Sequence, residues 1–238
     1  MKYPFITVEG NIGAGKTTLS QLLSEHYNAR LILEEFADNP FLPKFYENPS
    51  QYAFPLELFF MAERYKQLRE VLTTQDIFHT VTITDYLFTK SLLFAKVNLA
   101  EEEYRLYQKL FEIINPHIIQ PDILIYLNAP ISKLQENIKK RNRSYEQGIP
   151  GDYLSSIQDI YTQFIRQHNI ITLVVDTTNA DFINNKAHLQ TIIDALDKDY
   201  EPGQHLISLP WIWGMESTLA TYPQDPYAPL KIPEFRYF

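Results

Sequence analysis

The sequence predicts an α/β protein whose parallel sheet is covered by helices on both faces. Three observations predict it: short apolar runs alternate with stretches of helical period, a glycine-rich segment follows the first run, and polar residues gather where the runs end. Strands that alternate with helices pair in parallel, and the helices then pack on both sides of the sheet. Five runs read as strands buried on both faces, namely Phe5–Val8, Leu31–Leu33, Val81–Thr84, Ile123–Leu127 and Ile171–Val175. Between them Thr17–Tyr27, Pro55–Leu72, Glu102–Ile114, Ser132–Lys140 and Tyr153–Gln167 carry helical periodicity. The amphipathic stretch from Glu102 serves either core packing or a dimer face. Ligands of such sheets bind beyond the carboxyl ends of the strands, where the polar residues fall.

The 238 residues divide into one α/β domain over residues 1–200 and a different stretch over residues 201–238. That stretch holds Pro202, Pro210, Pro223, Pro226, Pro229 and Pro233 among Trp211, Trp213, Tyr222, Tyr227, Phe235, Tyr237 and Phe238. Proline at this density forbids a long helix, and the aromatic residues argue against free disorder. An extended tail is expected, packed on its own domain or on a partner. The chain has no cysteine, so disulfides and thiolate metal sites are excluded. A formal charge of −8 argues against a main role in binding nucleic acid, which needs a clustered cationic surface. No run approaches the ~18 apolar residues of a membrane span, and no signal-like segment precedes the first strand. A cytoplasmic location is expected.

Gly10-Asn11-Ile12-Gly13-Ala14-Gly15-Lys16-Thr17-Thr18 matches G-x-x-x-x-G-K-[ST] between a strand and a helix. Glycines let successive backbone N–H groups turn toward phosphate oxygens, and the helix that follows adds its positive amino end. In this P-loop Lys16 is placed to reach the β and γ phosphates, and Thr17 to ligate magnesium. ATP and Mg²⁺ are therefore the expected cofactors.

Other strand ends must identify the acceptor. Glu34 stands at the end of the second strand, where a carboxylate can take a proton from an attacking hydroxyl, with Glu35 beside it as the alternative register. Asp85 ends a buried apolar run and needs a partner there, either magnesium or the amino end of the next helix. Lys139, Lys140, Arg141 and Arg143 put four cations within five residues, as a basic helix end or as a lid over the phosphoryl group.

The order and spacing of the phosphate loop, of Phe45-Tyr46-Glu47-Asn48-Pro49 with Tyr52-Ala53-Phe54 and Arg64, and of Arg141-Asn142-Arg143 with Glu146-Gln147-Gly148-Ile149-Pro150 resemble the deoxynucleoside kinase family. The resemblance runs from about residue 3 to 170 and leaves the tail outside. It implies a P-loop kinase in which Glu34 is the general base on the 5′-hydroxyl, Arg141 and Arg143 form the lid, and a homodimer is formed. It also implies that Tyr46 and Glu146 hold the sugar 3′-hydroxyl and that Phe94 stacks on the base, although a core position for Phe94 fits equally.

Two positions depart from the family pattern. An arginine usually follows the acid after the third strand, and this chain has Asp85-Tyr86-Leu87. Its charge must come from elsewhere, with Arg64 and the lid as candidates. Glutamine usually stands where this chain has Glu57. A carboxylate only accepts hydrogen bonds, so it can take two from guanine and one from adenine or cytosine. Arg64 lies two turns along the same helix face and could donate to the base. The expected activity is ATP-dependent phosphorylation of a deoxynucleoside, purines first. The alternatives are a nucleotide-binding paralogue that has lost catalysis and a nucleoside monophosphate kinase.

Overall fold

The computed structural model describes residues 2–35, 39–73 and 78–210. The chain opens with β1 (Phe5–Gly10), the phosphate loop and α1 (Lys16–Tyr27), then β2 (Arg30–Ile32), α2 (Leu42–Glu47) and α3 (Pro49–Thr73). Next come β3 (Thr82–Thr84), α4 (Lys90–Asn98), α5 (Glu101–Ile114) and β4 (Ile123–Asn128). They are followed by α6 (Ile131–Arg141), α7 (Gly151–Gln167), β5 (Ile171–Asp176), α8 (Lys186–Leu196) and β6 (Gly203–Ile207).

Among the described residues the strands form one parallel sheet in the order β2-β3-β1-β4-β5-β6. The sheet therefore has six strands, not the five expected. The sixth comes from the stretch read as tail: β6 pairs with β5 from Ile171↔Gly203 to Val175↔Ile207. Pro202 and Pro210 bracket this strand without interrupting it, so the proline density did not exclude five ladder residues. Helix α8, also absent from the expected set, is the crossover that parallel pairing requires. The remaining tail, residues 211–238 with all its tryptophans, lies outside the described residues.

Burial corrects a second expectation. All six residues of β1 are buried, but those of β2 are only half-buried, because β2 is the edge of the sheet. On one face Ile6 and Val8 pack with Leu19 and Leu23 of α1, Leu134 and Ile138 of α6, and Leu196 of α8. On the other, Phe5 meets Met61 and Leu68 of α3 with Tyr107 and Phe111 of α5. There too Leu124 and Tyr126 of β4 pack on Ile157 and Tyr161 of α7. Each such aliphatic side chain contributes about 1.5–3 kcal/mol on burial, so β1 and the loop at its end sit on a firm base.

Helix α3 begins at Pro49, in the first turn where a missing N–H costs nothing, and runs on through Pro55, which had been expected to start it. Glu57 and Arg64 both lie on this one helix, as expected. Helix α5 buries Tyr107 and Phe111 and turns Leu106 and Ile113 outward. No helix among the described residues is long and apolar enough to cross a membrane.

Candidate active site

The phosphate loop takes its shape from glycines that no other residue can replace. A Cβ on Gly10 would lie 2.7 Å from the Leu127 carbonyl oxygen, and one on Gly13, at φ 82°, would lie 2.8 Å from that of Leu134. Asn11 fastens the loop by donating to the Leu154 carbonyl at 2.7 Å, and Asn137 of α6 donates to the Gly13 carbonyl at 2.9 Å. The first turn of α1 has neither a capping side chain nor an acid, so its positive end is left for an anion. Ile12 is half-buried against the main core, Ala14 is buried, and Thr18 is half-buried in that turn. Lys16 donates to the carbonyls of Gly10 and Asn11, both at 3.0 Å. Burial and then the nearby Lys90 ammonium bring its pKa down to about 8, against the pull of Glu9, Glu34 and Asp85.

A buried carboxylate, Glu9, lies behind the loop. Its Oε2 accepts from the Gly10 N–H at 3.0 Å and the Tyr161 hydroxyl at 2.8 Å, and its Oε1 from the Leu87 N–H at 2.8 Å. It ties the loop to α7 and to the segment after β3. Sequence reasoning missed it, because a glutamate inside an apolar strand reads as part of the strand.

In front of the loop, Thr17 donates to Asp85 Oδ2 at 2.6 Å, and the Glu34 N–H donates to Asp85 Oδ1 at 2.7 Å. A hydroxyl and a carboxylate side by side suit magnesium, which takes one or two protein oxygens and keeps the rest of its shell for water and phosphate. Glu34 lines the cleft, whereas Glu35 is exposed. Arg64 grips Glu34 Oε1 through Nε at 2.8 Å and Nη2 at 2.5 Å, and Lys90 Nζ lies 2.5 Å from Oε2. Burial alone would raise the pKa of Glu34, but Lys90 and Arg64 outweigh it and hold this carboxyl well below the usual range.

The other half of the cleft is lined by α2, α3 and α4. Here Glu57, 1% exposed, accepts from Asn98 Nδ2 at 2.7 Å through Oε1, while its Oε2 has no partner. Burial is the main reason its pKa rises to about 7, with Arg64 and the Asn98 hydrogen bond opposing. Phe94 forms a wall, edge-on to Tyr161 and 5.4 Å from the Lys90 ammonium. Tyr46 stacks on Tyr145 at 6.2 Å, and burial pushes its hydroxyl pKa up. Glu146 accepts from Arg141 and, at 3.2 Å, from Arg143. Of the four lid cations only these two arginines line the cleft; Lys139 and Lys140 are exposed.

One cleft of about 780 Å³, counting the space at its mouth, thus gathers Lys16, Thr17, Glu34, Tyr46, Glu57, Arg64, Asp85, Phe94, Arg141, Arg143 and Glu146. It also holds Lys90 and Asn98, which sequence reasoning did not single out. Lys90 sits in the run Phe88-Thr89-Lys90-Ser91-Leu92-Leu93-Phe94, where a lone lysine reads as a solvated helix position; only its 5% exposure marks it. Arg64 lines the cleft and donates to Glu34 and, through Nη1 at 2.8 Å, to Ser91 Oγ.

A phosphate-binding loop facing a pocket for a hydroxyl-bearing acceptor across a carboxylate is the layout of a P-loop phosphotransferase. The family model described as deoxynucleoside kinase matches residues 6–200, and this chain belongs to that family of phosphotransferases. Deoxyguanosine kinase of Bacillus subtilis (strain 168) is 36% identical over 197 residues, covering 79% of this chain and 94% of that protein. Deoxyadenosine/deoxycytidine kinase of the same organism is 28% identical over 204 residues, covering 82% of this chain and 92% of that one. Among solved structures, deoxyadenosine kinase from M. mycoides with the products dCMP and a flexible dCDP bound superposes with a TM-score of 0.72 at 25% identity. That match covers 81% of this chain and 98% of the other.

Proposed function

We propose that the protein transfers the γ-phosphoryl group of ATP to the 5′-hydroxyl of a purine deoxynucleoside, with guanine preferred. The observation that carries this reading is the position of Glu34, on the cleft wall between the phosphate loop and the Glu57 pocket. Glu34 takes the hydroxyl proton as the oxygen bonds to the γ-phosphorus, and the bond from phosphorus to the bridging oxygen breaks to release ADP. Lys16 and the amino end of α1 hold the phosphates, and Arg141 and Arg143 turn to the transferring group. Thr17 and Asp85 would hold Mg²⁺, whose charge supports the phosphates when it is bound.

Tyr46 and Glu146 are the sugar contacts in this reading, and Phe94 the face against the base. Guanine follows from Glu57. In its ionised form, which two bound donors favour, its free Oε2 and the second lone pair of Oε1 accept both donors of one guanine edge, whereas adenine brings one. The similar B. subtilis deoxyguanosine kinase supports the same preference.

The test is ADP formation from labelled ATP and magnesium with each of the four deoxynucleosides. Deoxyguanosine is expected to give the highest kcat/KM, and Glu34→Gln to lower kcat by ~10²–10⁴-fold. Undiminished turnover in Glu34→Gln removes the base assignment, and a preference for pyrimidines removes the role given to Glu57.

A further inference from the structure

We propose that Lys90 is a catalytic residue, whose ammonium group moves from Glu34 onto the equatorial oxygens of the phosphoryl group as it transfers. The inference rests on the phosphotransfer reading of the cleft and adds to it the source of the charge that Tyr86 cannot supply.

Tyr86 is 1% exposed and packs among Met61, Phe88 and Tyr107, and its hydroxyl donates to Gln67 Oε1 at 2.7 Å. The side chain after Asp85 is therefore part of the core under α3 and is not among those lining the cleft. Four residues further on, at the start of α4, Lys90 carries a charge to the cleft wall that also bears Lys16, Thr17 and Asp85.

Spare donor capacity on Lys90 points to an anion beyond the protein. Arg64 makes two bonds to one oxygen of Glu34 and Lys90 one bond to the other, and both cationic side chains are nearly closed to water beside the cleft. Among the described residues the only hydrogen bond of the Lys90 ammonium is the one to Glu34, which leaves two of its three protons for an acceptor. An ammonium on a four-carbon stem swings over a short distance more readily than the doubly fastened guanidinium of Arg64. The transferring phosphoryl group is the anion that arrives on this side of Glu34. Lys90 forms no covalent bond and gives up no proton in the step.

The experiment measures kcat and KM for the full-length Lys90→Ala and Lys90→Arg proteins, alone and combined with Glu34→Gln, with ATP binding followed by calorimetry. Lys90→Ala is expected to lower kcat by ~10²–10³-fold with a much smaller change in either KM, and Lys90→Arg to keep more of it. Added ethylammonium is expected to restore part of the rate of Lys90→Ala, which a purely structural role would not produce. The decisive arm is the Glu34→Gln background: there Lys90→Ala must lower the residual rate again. Loss confined to proteins that retain Glu34 overturns the proposal, since Lys90 would then act only as a counter-ion. An unchanged kcat in Lys90→Ala overturns it as well. Should the alanine protein fail to bind ATP, the comparison is made with Lys90→Met, whose apolar stem fills the same space. Full activity in Glu34→Gln alone defeats the base assignment instead, and leaves the Lys90 result to be read from the single variants.

Discussion

Glu34 and Glu57 share one cleft and differ in everything that surrounds them. Glu34 has both oxygens against cations, Arg64 on one and Lys90 on the other. Glu57 has a neutral amide on one oxygen and no partner on the other. The first carboxyl is held far below its ordinary pKa range, and the second rises to about 7. Desolvation raises the pKa of both, so it does not by itself decide the ionisation of a glutamate; the charge of its neighbours does. The contrast divides the labour as well. On the proposed reading the surroundings of Glu34 serve to move charge, and those of Glu57 to meet the donors of a base.

The comparison is open to attack at each end. Glu34→Gln should have the largest effect, since it strands Arg64 and Lys90 without their counter-ion in addition to removing the proposed base. A loss of about 3–5 kcal/mol in urea-induced unfolding is expected. A protein as stable as the parent would show that the cations find other partners. Glu57→Gln should not lower stability and should act on choice of base instead. Losing one of two acceptors costs about 1–3 kcal/mol, so the ratio of kcat/KM for deoxyguanosine over deoxyadenosine should fall about ten- to a hundredfold. An unchanged ratio would move recognition of the base to another residue.

A pH series sharpens the same contrast. The folded-state pKa of Glu57, about 7, lies above its ordinary 4.5, so the folded chain holds a proton that the unfolded chain has lost. The stability from this group is complete below about pH 4.5 and disappears as pH rises through about 7, by at most about 3 kcal/mol. Unfolding at pH 5 and pH 8 should show the fall in the parent and a flatter profile in Glu57→Gln. The smallest effect is expected from Lys140→Ala. Its ammonium pairs with Glu136 on the exposed side of α6, so kcat should stay within about twofold.

Local spacing made much of the site legible. The phosphate loop, Glu34, Asp85 and the lid arginines sit at strand ends or in short strings where the backbone itself dictates position, and all of them meet in the cleft. Lys90 and Asn98 were not legible, because nothing in the run around α4 distinguishes a lysine facing solvent from one facing Glu34. The sixth strand was hidden for a related reason. A five-residue parallel edge strand has no hydrophobic alternation of its own to announce it, and dense proline around it suggested tail.

By itself the sequence determined the α/β class, the phosphate loop and the pairing of that loop with an acceptor site, since these follow from short-range periodicity and from glycines that only one backbone shape requires. Tertiary structure alone decided which charges face which. It turned Tyr86 into the core, brought Lys90 and Arg64 onto Glu34, and left Glu57 with an amide and a free oxygen. Electrostatic energy depends on distances between side chains from different elements and on the water excluded between them, and neither is written in the order of residues.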